Sequence, residues 1–357
     1  MFVAVRDLKF ARGRFALMGG VVALITLLVV LLSGLTAGLA RENTSAVLAL
    51  PGQEVVFAAP AEGQSPSFAE SQVPDGAAHL WADTPGVQQV EPLQIRTSRL
   101  TVGERSATVA AFAVPAGSTL PPTDVPDGQV LLPAAVAEEL AVSAGDQVRI
   151  NGEEVLLGAV GGQDAYSHLP VAWLPGGLDA GGGDQHGDAA TVLVLGTDQL
   201  TDADRQATDA AAGTETLPLA DSVQALPSFS SENGSLQLMR GLLLVISALV
   251  IGAFFTVWTV QRRGEIAVLK AVGAGTGYLL RDALGQALVL LLLGTLLGAG
   301  AATGLGLLAA GTVPFVLDVA TVAVPVLALV ALGLLGAAVS LRQIVSVDPL
   351  TALGSAR

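Results

Sequence analysis

The residues best suited to bind a ligand stand at the start of an apolar run, in the stretch 231–240. Glu232, Met239 and Arg240 supply a carboxylate, a thioether and a guanidinium there. Carboxylate and thioether groups can ligate iron, and a guanidinium pairs with carboxylates. Glu232 and Met239 are seven residues apart, so a helix would place them on one face about 10 Å apart. Glu232 and Met239 of one chain are therefore too far apart to bind the same iron atom easily. A site shared by two chains across a two-fold axis would relax this constraint.

A structural interpretation of the same stretch is equally open. Ser231 would be the N-cap of a helix, and Glu232 would interact favourably with the helix dipole. Arg240 would extend its guanidinium to the lipid boundary, and Met239 would pack against neighbouring helices. The sequence alone therefore leaves two interpretations, ligand binding or ordinary helix structure.

The histidines are alternative ligands, and the chain has no cysteine. His168 and His186 lie among glycines and polar residues, where a histidine is more often solvated than bound, and His79 beside Trp81 is no better placed. Their spacing does not assemble a Ser–His–Asp arrangement, which disfavours a hydrolase. The lack of cysteine excludes thiolate nucleophiles, disulfides, Fe–S clusters and cysteine-type zinc sites. No metal is expected beyond an iron atom held by Glu232 and Met239.

The chain contains no P-loop. Its only lysines are Lys9 and Lys270, and Leu269 stands where the second glycine of the motif is required before Lys270. The apolar runs contain no Asp, Glu or His that could relay protons. We therefore expect no catalytic site in this chain and an energy source in a partner.

Apolar residues concentrate in four runs that are long enough to cross a bilayer. The chain is 52% hydrophobic and only 13% charged, which is unusual for a soluble protein, and roughly 17 to 25 apolar residues suffice for a spanning helix. The first run is too long for the apolar part of a signal peptide and is predicted to stay as an anchor. The predicted spans are 15–40, 236–260, 283–311 and 322–341.

The distribution of charge predicts the orientation of the chain. Ten of the 17 basic residues lie in the segments 1–14, 261–282 and 342–357, whereas 41–235 holds six arginines and 26 acidic residues. Because short cytoplasmic segments collect Lys and Arg, these three segments and both termini are predicted to be cytoplasmic. The segment 41–235 is predicted to be extracytoplasmic, and 312–321 to be an external turn. A net charge of −14 argues against a nucleic-acid partner.

Local patterns inside the large segment predict both helices and strands. Pro133 would start a short helix that ends at Leu140. Asn151-Gly152 would then supply the positive φ angles of a two-residue hairpin between strands 147–150 and 153–160. The predicted fold class is a membrane protein with four transmembrane α-helices and one large extracytoplasmic α+β domain between helices 1 and 2. Further predicted elements are strands at 171–173 and 191–195 and the start of an exposed helix in the acidic stretch 198–209.

The stretch 261–275 is the most specific pattern in the chain. Glu265–Val272 predicts a short helix with Ile266 and Leu269 on one stripe and Gly273 as its stop. Such a helix could lie in the lipid interface, but two turns with one lysine would bind a membrane weakly. Docking into a groove of another protein makes better use of the stripe.

This stretch also carries a family resemblance. Arg263–Gly273, followed by Tyr278-Leu-Leu-Arg-Asp282, resembles the FtsX/MacB-type ABC transporter permeases, and Val347–Leu353 matches the DP-x-x-A-L ending common in that family. The resemblance implies a homodimer in the bacterial plasma membrane, joined to two ATPase subunits that bind the ATP. It also implies that 264–275 is the coupling helix. The residues implied in that contact are Arg263, Glu265, Ile266, Leu269, Lys270 and Gly273.

Three shorter stretches, 6–11, 38–43 and 166–173, look most like the HrtB/DevC branch of the family. That branch implies export of haem from the membrane with an HrtA-like or MacB-like ATPase. Glu232 and Met239 would then ligate the haem iron and Arg240 would pair with a propionate, with haem as substrate and no covalently bound cofactor. The alternatives are export of a peptide, antibiotic or lipid-like molecule, or an FtsX-like permease that transports nothing and regulates cell-wall hydrolysis.

Overall fold

The computed structural model describes residues 12–176, 189–261, 272–309 and 312–345, together with Gly264, Val268 and Lys270. The chain divides into two compact units. The intervening domain is Leu39–Gly234, and the helical unit is formed by the parts of the chain before and after it. The helices are α1 (Arg12–Leu48), α2 (Ala77–Ala82), α3 (Ala134–Leu140), α4 (Asp202–Ala212), α5 (Leu219–Ser222), α6 (Pro227–Gln261), α7 (Thr276–Ala309) and α8 (Val319–Val345).

Four of these helices, α1, α6, α7 and α8, are long and apolar enough to cross a membrane. This confirms the predicted four-helix membrane part. The helices extend beyond the predicted spans, because α1 continues to Leu48 and α6 begins at Pro227. The last turns of α1 are buried in the core of the intervening domain through Ala46 and Val47, and Phe229 of α6 packs against the same core. Packing within the domain therefore lengthens both helices beyond their apolar runs.

Glycines allow the helices of the helical unit to approach closely. A Cβ on Gly298 of α7 would lie 2.3 Å from the carbonyl oxygen of Ala23 in α1, and one on Gly294 would lie 2.8 Å from a valine methyl group of the same helix. Gly300 and Gly304, on the same helix, would have no such atom within 4 Å. Of these four glycines, Gly294 and Gly298 therefore lie where α1 approaches α7 closely, and Gly300 and Gly304 do not.

The connection between α7 and α8 folds back onto the helices. The ring of Phe315 occupies the space where a Cβ on Gly34 of α1 or on Gly306 of α7 would stand, at 2.4 Å in each case. Asp318 then caps α8, since its Oδ1 accepts a hydrogen bond of 2.6 Å from the backbone N–H of Thr321. This hydrogen bond is the main reason that the pKa of the Asp318 carboxyl is lowered.

The intervening domain is built on one extended sheet. The strands are β1 (Glu54–Ala58), β2 (Val87–Val102), β3 (Arg105–Val114), β4 (Gln129–Leu132), β5 (Gln147–Ile150), β6 (Glu153–Val160), β7 (Ala165–Tyr166), β8 (Leu169–Pro175), β9 (Val192–Thr197) and β10 (Thr214–Pro218). Their order is β10-β1-β9-β2-β3-β8-β4-β6-β5, with β7 paired to β8. Together with the helices, this sheet confirms the predicted α+β domain.

Strand β2 divides the sheet into a barrel and an open part. Because β5 also pairs with β2, the strands β2-β3-β8-β4-β6-β5 close on themselves. The first half of β2 pairs with β9 and the second half with β3. The barrel interior is filled by fully buried apolar side chains, among them Leu100, Val109, Leu132, Ile150 and Leu157.

The open part of the sheet has its own core. Trp81 of α2 is fully buried there against β1 and β9, and its indole N–H donates to Thr214 Oγ1 at 3.3 Å. A further core lies under the last turns of α1. It is aromatic, with Phe57, Phe68, Phe112 and Trp173 joined by edge-to-face contacts through Tyr166.

The outermost strand of the open part, β10, is covered by α4. Asp209 of α4 accepts hydrogen bonds from the backbone N–H of Thr216 at 3.2 Å and from its hydroxyl at 2.8 Å. Burial raises the pKa of the Asp209 carboxyl, although the hydrogen bonds from Thr214 and Thr216 oppose that rise. The strand ends at Pro218, which has no N–H group.

Several local predictions are confirmed. Helix α3 begins after Pro133, and β5 and β6 form the predicted hairpin, with φ angles of 49° at Asn151 and 101° at Gly152. Strands β8 and β9 contain the predicted strands 171–173 and 191–195 almost completely. The helix predicted to start in the acidic stretch 198–209 is also present: α4 begins at Asp202, because Thr201 is its N-cap and accepts a hydrogen bond from the backbone N–H of Asp204.

Candidate functional site

A polar cluster in the intervening domain joins the end of α1, the start of α6 and the tip of the β7–β8 hairpin. Its members are Glu42, Asn43, Ser167, His168, Ser228 and Glu232, all of which lie between Leu39 and Gly234. One of them, Glu232, is a predicted site residue, and His168 is one of the alternative ligands. The fold thus brings together two candidates that are 64 residues apart in sequence.

The hairpin tip is held in an unusual backbone conformation. Ser167 and His168 form the two-residue connection between β7 and β8, with φ angles of 52° and 65°. A tight hairpin of this type requires positive φ at both positions, which is uncommon for residues other than glycine and is better tolerated by histidine than by serine. The two N–H groups donate to the backbone carbonyls of Asn43 and Glu42, each at 3.1 Å. The tip is therefore fastened to α1 through its backbone.

The imidazole of His168 lies between two carboxylates. Its Nε2 is 3.1 Å from both carboxylate oxygens of Glu232, and its Nδ1 is 3.4 Å from Oε2 of Glu42. Nε2 also lies 3.0 Å from the amide nitrogen of Asn43, and the role of each ring nitrogen depends on the tautomer. Because an ionised carboxylate only accepts hydrogen bonds, the tautomer with a proton on Nε2 donates to Glu232. The prediction that His168 is merely solvated is wrong, since its side chain is 33% exposed but engages both carboxylates.

Asn43 is the buried member of the cluster, with 1% exposure. Its amide nitrogen donates to Glu232 Oε2 at 3.0 Å and to the carbonyl of Leu39 at 3.2 Å, which uses both of its hydrogens. Its amide oxygen accepts from the Ser228 hydroxyl at 2.7 Å. With its hydrogen committed, Ser228 Oγ accepts from the hydroxyl of Ser167 at 2.7 Å. The hydrogen bonds therefore run in one direction, from Ser167 through Ser228 and Asn43 to Glu232.

These hydrogen bonds converge on Glu232, whose side chain keeps 42% of its surface exposed. Two donors, Asn43 and His168, orient the carboxylate, and an anionic oxygen stays accessible to a ligand. In the described residues no group of three or more His, Cys, Asp and Glu side chains is arranged to hold a bare metal ion. The neighbouring phenol of Tyr166 stays protonated, because burial raises its pKa.

The other predicted ligand-binding residues lie further along α6. Ser231 is inside this helix and is not its N-cap, because Pro227 takes the first helical position. The side chain of Met239 is exposed, with a relative surface of 49%, so it does not pack within this chain as the structural interpretation predicts. Arg240 forms no ion pair with the residues that the structure describes. Both side chains are thus available for contacts beyond this chain.

The predicted coupling segment is described only in part. Arg263, Glu265, Ile266 and Leu269 lie outside the described residues, as does His186. Val268 and Lys270 are helical, the N–H of Val272 donates to the carbonyl of Val268 at 3.0 Å, and Gly273 has a φ of 100°. This positive φ is typical of a glycine that ends a helix. Val268 and Val272 are four residues apart and both are exposed.

Reasoning from the sequence missed Glu42, Asn43, Ser167 and Ser228 as members of the cluster. The stretch 38–43 carried the family resemblance, but nothing in it indicates that Asn43 is buried. A polar residue near the end of an apolar helix is ordinarily read as the point where the chain leaves the membrane. Only the hairpin packed against it makes Asn43 part of a site.

Comparison with known proteins gives matches over the helices and over the whole chain. Residues 238–349 match the FtsX-like permease C-terminal family. The full chain is similar to the hemin transport system permease protein HrtB of Staphylococcus epidermidis, with 25% identity over 99% of both chains, and to HrtB of Staphylococcus haemolyticus at the same identity and coverage. It is also similar to an uncharacterized ABC transporter permease of Mycobacterium tuberculosis, with 28% identity over 99% of both chains.

Two solved structures resemble part of the chain. The extracellular domain of the ABC-type transporter YknZ from Gram-positive bacteria has 14% identity and a TM-score of 0.34, with 46% of this chain and 97% of that chain covered. The periplasmic region of MacB from Actinobacillus actinomycetemcomitans has 13% identity and a TM-score of 0.34, with 49% of this chain and 93% of that chain covered.

Proposed function

We propose that this chain is an FtsX-like ABC transporter permease that exports an amphipathic molecule from the membrane, with haem as the first candidate. The match of residues 238–349 to the FtsX-like permease C-terminal family and the full-length similarity to ABC transporter permeases support this proposal. Permeases of this kind do not catalyse ATP hydrolysis themselves, and the family implies a separate ATPase subunit. The ATPase that we propose is HrtA-like, and the permease acts as a homodimer in the bacterial plasma membrane with both termini in the cytoplasm.

The observation that carries the haem proposal is the oriented, partly exposed carboxylate of Glu232. A carboxylate held by two donors is preorganised to bind a cationic centre, because little freedom is lost when the ligand arrives. Similarity over 99% of both chains to relatives named for hemin transport supports the same substrate.

The remaining contacts that we propose come from Met239 and Arg240. Both stand on the same helix as Glu232, and their side chains are available for a ligand. A thioether is a natural axial ligand of haem iron, and a guanidinium forms paired hydrogen bonds with a carboxylate such as a propionate. Because Glu232 and Met239 are two helical turns apart, the ligands of one iron come from the two copies of the homodimer.

A direct test is the haem absorbance band of the full chain purified with its ATPase in lipid nanodiscs. We expect titration with haem to produce a ligated band in the unchanged chain and almost none in the double variant Glu232→Ala/Met239→Ala. The matched control is Glu62→Ala/Leu238→Ala, which removes an exposed glutamate outside the cluster and the exposed neighbour of Met239, and it should keep the band.

Other outcomes would identify the alternatives. A band that survives the double variant would overturn the proposed ligands. No band, together with ATPase stimulation by a hydrophobic peptide, antibiotic or lipid, would replace haem with that substrate class. No response to any of these would favour a permease that regulates cell-wall hydrolysis.

We also propose that 264–275 is the surface that receives the ATPase. The exposed valines at 268 and 272 supply an apolar stripe for a groove, and the stop at Gly273 fixes the length of the helix. Reversing the charge in Glu265→Arg should abolish the stimulation of ATPase activity by substrate without reducing the amount of protein in the membrane. Glu265→Asp is the control, and stimulation that is equal in both variants would count against this surface.

A further inference from the structure

Asn43 and His168, the two donors to the Glu232 carboxylate, differ in how firmly their own side chains are fixed. Asn43 is 1% exposed, and its amide has a partner for every hydrogen and for its oxygen. Moving it would leave buried polar groups without partners, which is strongly unfavourable. The side chain of His168 is 33% exposed, and water can replace its hydrogen bonds. Asn43 is therefore a fixed donor and His168 an exchangeable one.

The two donors also approach different parts of the carboxylate. Asn43 Nδ2 contacts Oε2 of Glu232, whereas His168 Nε2 is equally distant, at 3.1 Å, from both oxygens. A donor at equal distance from both oxygens occupies the region where the lone pairs of the two oxygens converge. A Lewis acid that binds the carboxylate from this side must displace the imidazole, while Asn43 can keep its hydrogen bond to Oε2.

We propose that His168 is a releasable clasp: a ligand that binds Glu232 displaces the imidazole, and the tip of the β7–β8 hairpin loses this contact with α6. The two backbone hydrogen bonds that hold the tip on α1 are thereby weakened. Asn43 acts as the positioning residue that holds Glu232 throughout. The imidazole then bonds to water in place of Glu232, and the carboxylate forms one coordination bond to the Lewis acid in place of a water ligand, which leaves to solvent. This inference rests on the proposed function, since it makes Glu232 the residue that binds the substrate.

The hairpin tip is built to respond to the loss of this contact. Ser167 and His168 both hold positive φ angles that their side chains disfavour, and the contacts to α1 and α6 keep them there. Tyr166, directly before the tip, packs edge-to-face on Phe68 and Phe112 in the core. Strand β8, directly after it, pairs with β3 and β4 of the barrel. A change at the tip is therefore passed to the core and the barrel of the intervening domain.

Hydrogen exchange of the full chain with its ATPase in nanodiscs tests the clasp. The amides of Ser167 and His168 donate to α1 in the empty protein, so we expect saturating haem to increase the exchange rate of the peptide that contains them about tenfold or more. Peptides from α4 and β10, in the open part of the sheet, are the internal control.

Variants separate the two donors. His168→Ala should show fast tip exchange with and without haem and a haem affinity that is unchanged or higher, because the competing donor is gone. His168→Asn, which tolerates a positive φ, should behave in the same way if the alanine variant folds poorly. Asn43→Ala should weaken haem binding about tenfold, as loss of a residue that orients a ligand does. His79→Ala, an exposed histidine outside the cluster, should match the unchanged chain.

The outcomes distinguish this proposal from the proposed function. No haem band in the unchanged chain would overturn the function and the clasp together. A haem band with unchanged tip exchange would overturn the clasp alone. Loss of the band in both His168 variants would also overturn it, because His168 would then be a ligand and not a competitor.

Discussion

The two units of the molecule reach tight packing by opposite means. In the intervening domain the cores are filled by large side chains such as Trp81, Phe57 and Phe112, all fully buried. In the helical unit the closest contacts occur where side chains are missing, at Gly294 and Gly298. In water, burial of apolar surface drives packing, whereas in lipid the tails are as apolar as the side chains and helices gain stability mainly by close approach. Each unit thus has the packing that its proposed solvent favours.

The largest effect is expected from removing a large side chain in the intervening domain. Trp81→Ala should lower the free energy of unfolding by about 3 to 5 kcal/mol, because the indole is fully buried and its N–H bonds to Thr214. Thermal unfolding of the purified chain, followed by far-ultraviolet circular dichroism, measures this change in stability. The control is Leu80→Ala, the exposed neighbour in the same helix. Similar losses in both variants would mean that burial is not what holds this core.

Adding a methyl group to the helical unit should have a smaller but clear effect. Gly298→Ala places a Cβ against the backbone of Ala23 and should destabilise the packing of α1 on α7 by about 1 to 3 kcal/mol. The same change at Gly300, which faces open space, should be neutral or slightly stabilising. The readout is the thermal stability of each variant in the same detergent. Equal behaviour of the two variants would contradict close approach as the source of stability.

The smallest effect concerns the caps of one helix in each unit. Asp318 caps α8 with a carboxylate whose pKa is lowered, whereas Thr201 caps α4 with a hydroxyl that does not titrate. A carboxyl with a lowered pKa in the folded state contributes stability above its unfolded pKa and loses it as the pH falls through the folded pKa. Asp318→Ser should therefore lower the melting temperature slightly near pH 7, and the difference should shrink as the pH falls through the lowered pKa of the Asp318 carboxyl.

Thr201→Val gives the matched measurement in the intervening domain. It should cost about 1 kcal/mol near pH 7, because the Thr201 hydroxyl accepts from the backbone N–H of Asp204 and donates to its carboxylate at 2.6 Å. No loss of stability in this variant, or a loss that did not depend on pH in Asp318→Ser, would contradict the assignment of the caps.

The sequence predicted the elements better than the contacts between them. The Asn151-Gly152 hairpin and α3 follow from local residue preferences, and the four membrane helices follow from length and composition. The start of α6 was misplaced because the apolar run begins later than the helix, whose first turns are stabilised by packing in the intervening domain.

The candidate site was predictable only in part for the same reason. Glu232 could be singled out by its position before an apolar run, but its partners come from segments 64 and 189 residues away in sequence. Local patterns carry no information about which distant hairpin packs on a helix end. Gly298 and Gly300 illustrate the limit within one helix, since both are small and only the neighbouring helix decides which of them matters.

The packing of α4 over the edge strand β10 affects how this domain can associate with neighbouring proteins. The free edge of a sheet has unpaired N–H groups, and a strand of another protein can pair with them and extend the sheet. Here the barrel has no edge, the N–H of Thr216 is already bonded to Asp209, and Pro218 offers none. A strand of a neighbouring copy therefore finds no free backbone donor at Thr216 or Pro218 with which to extend the sheet.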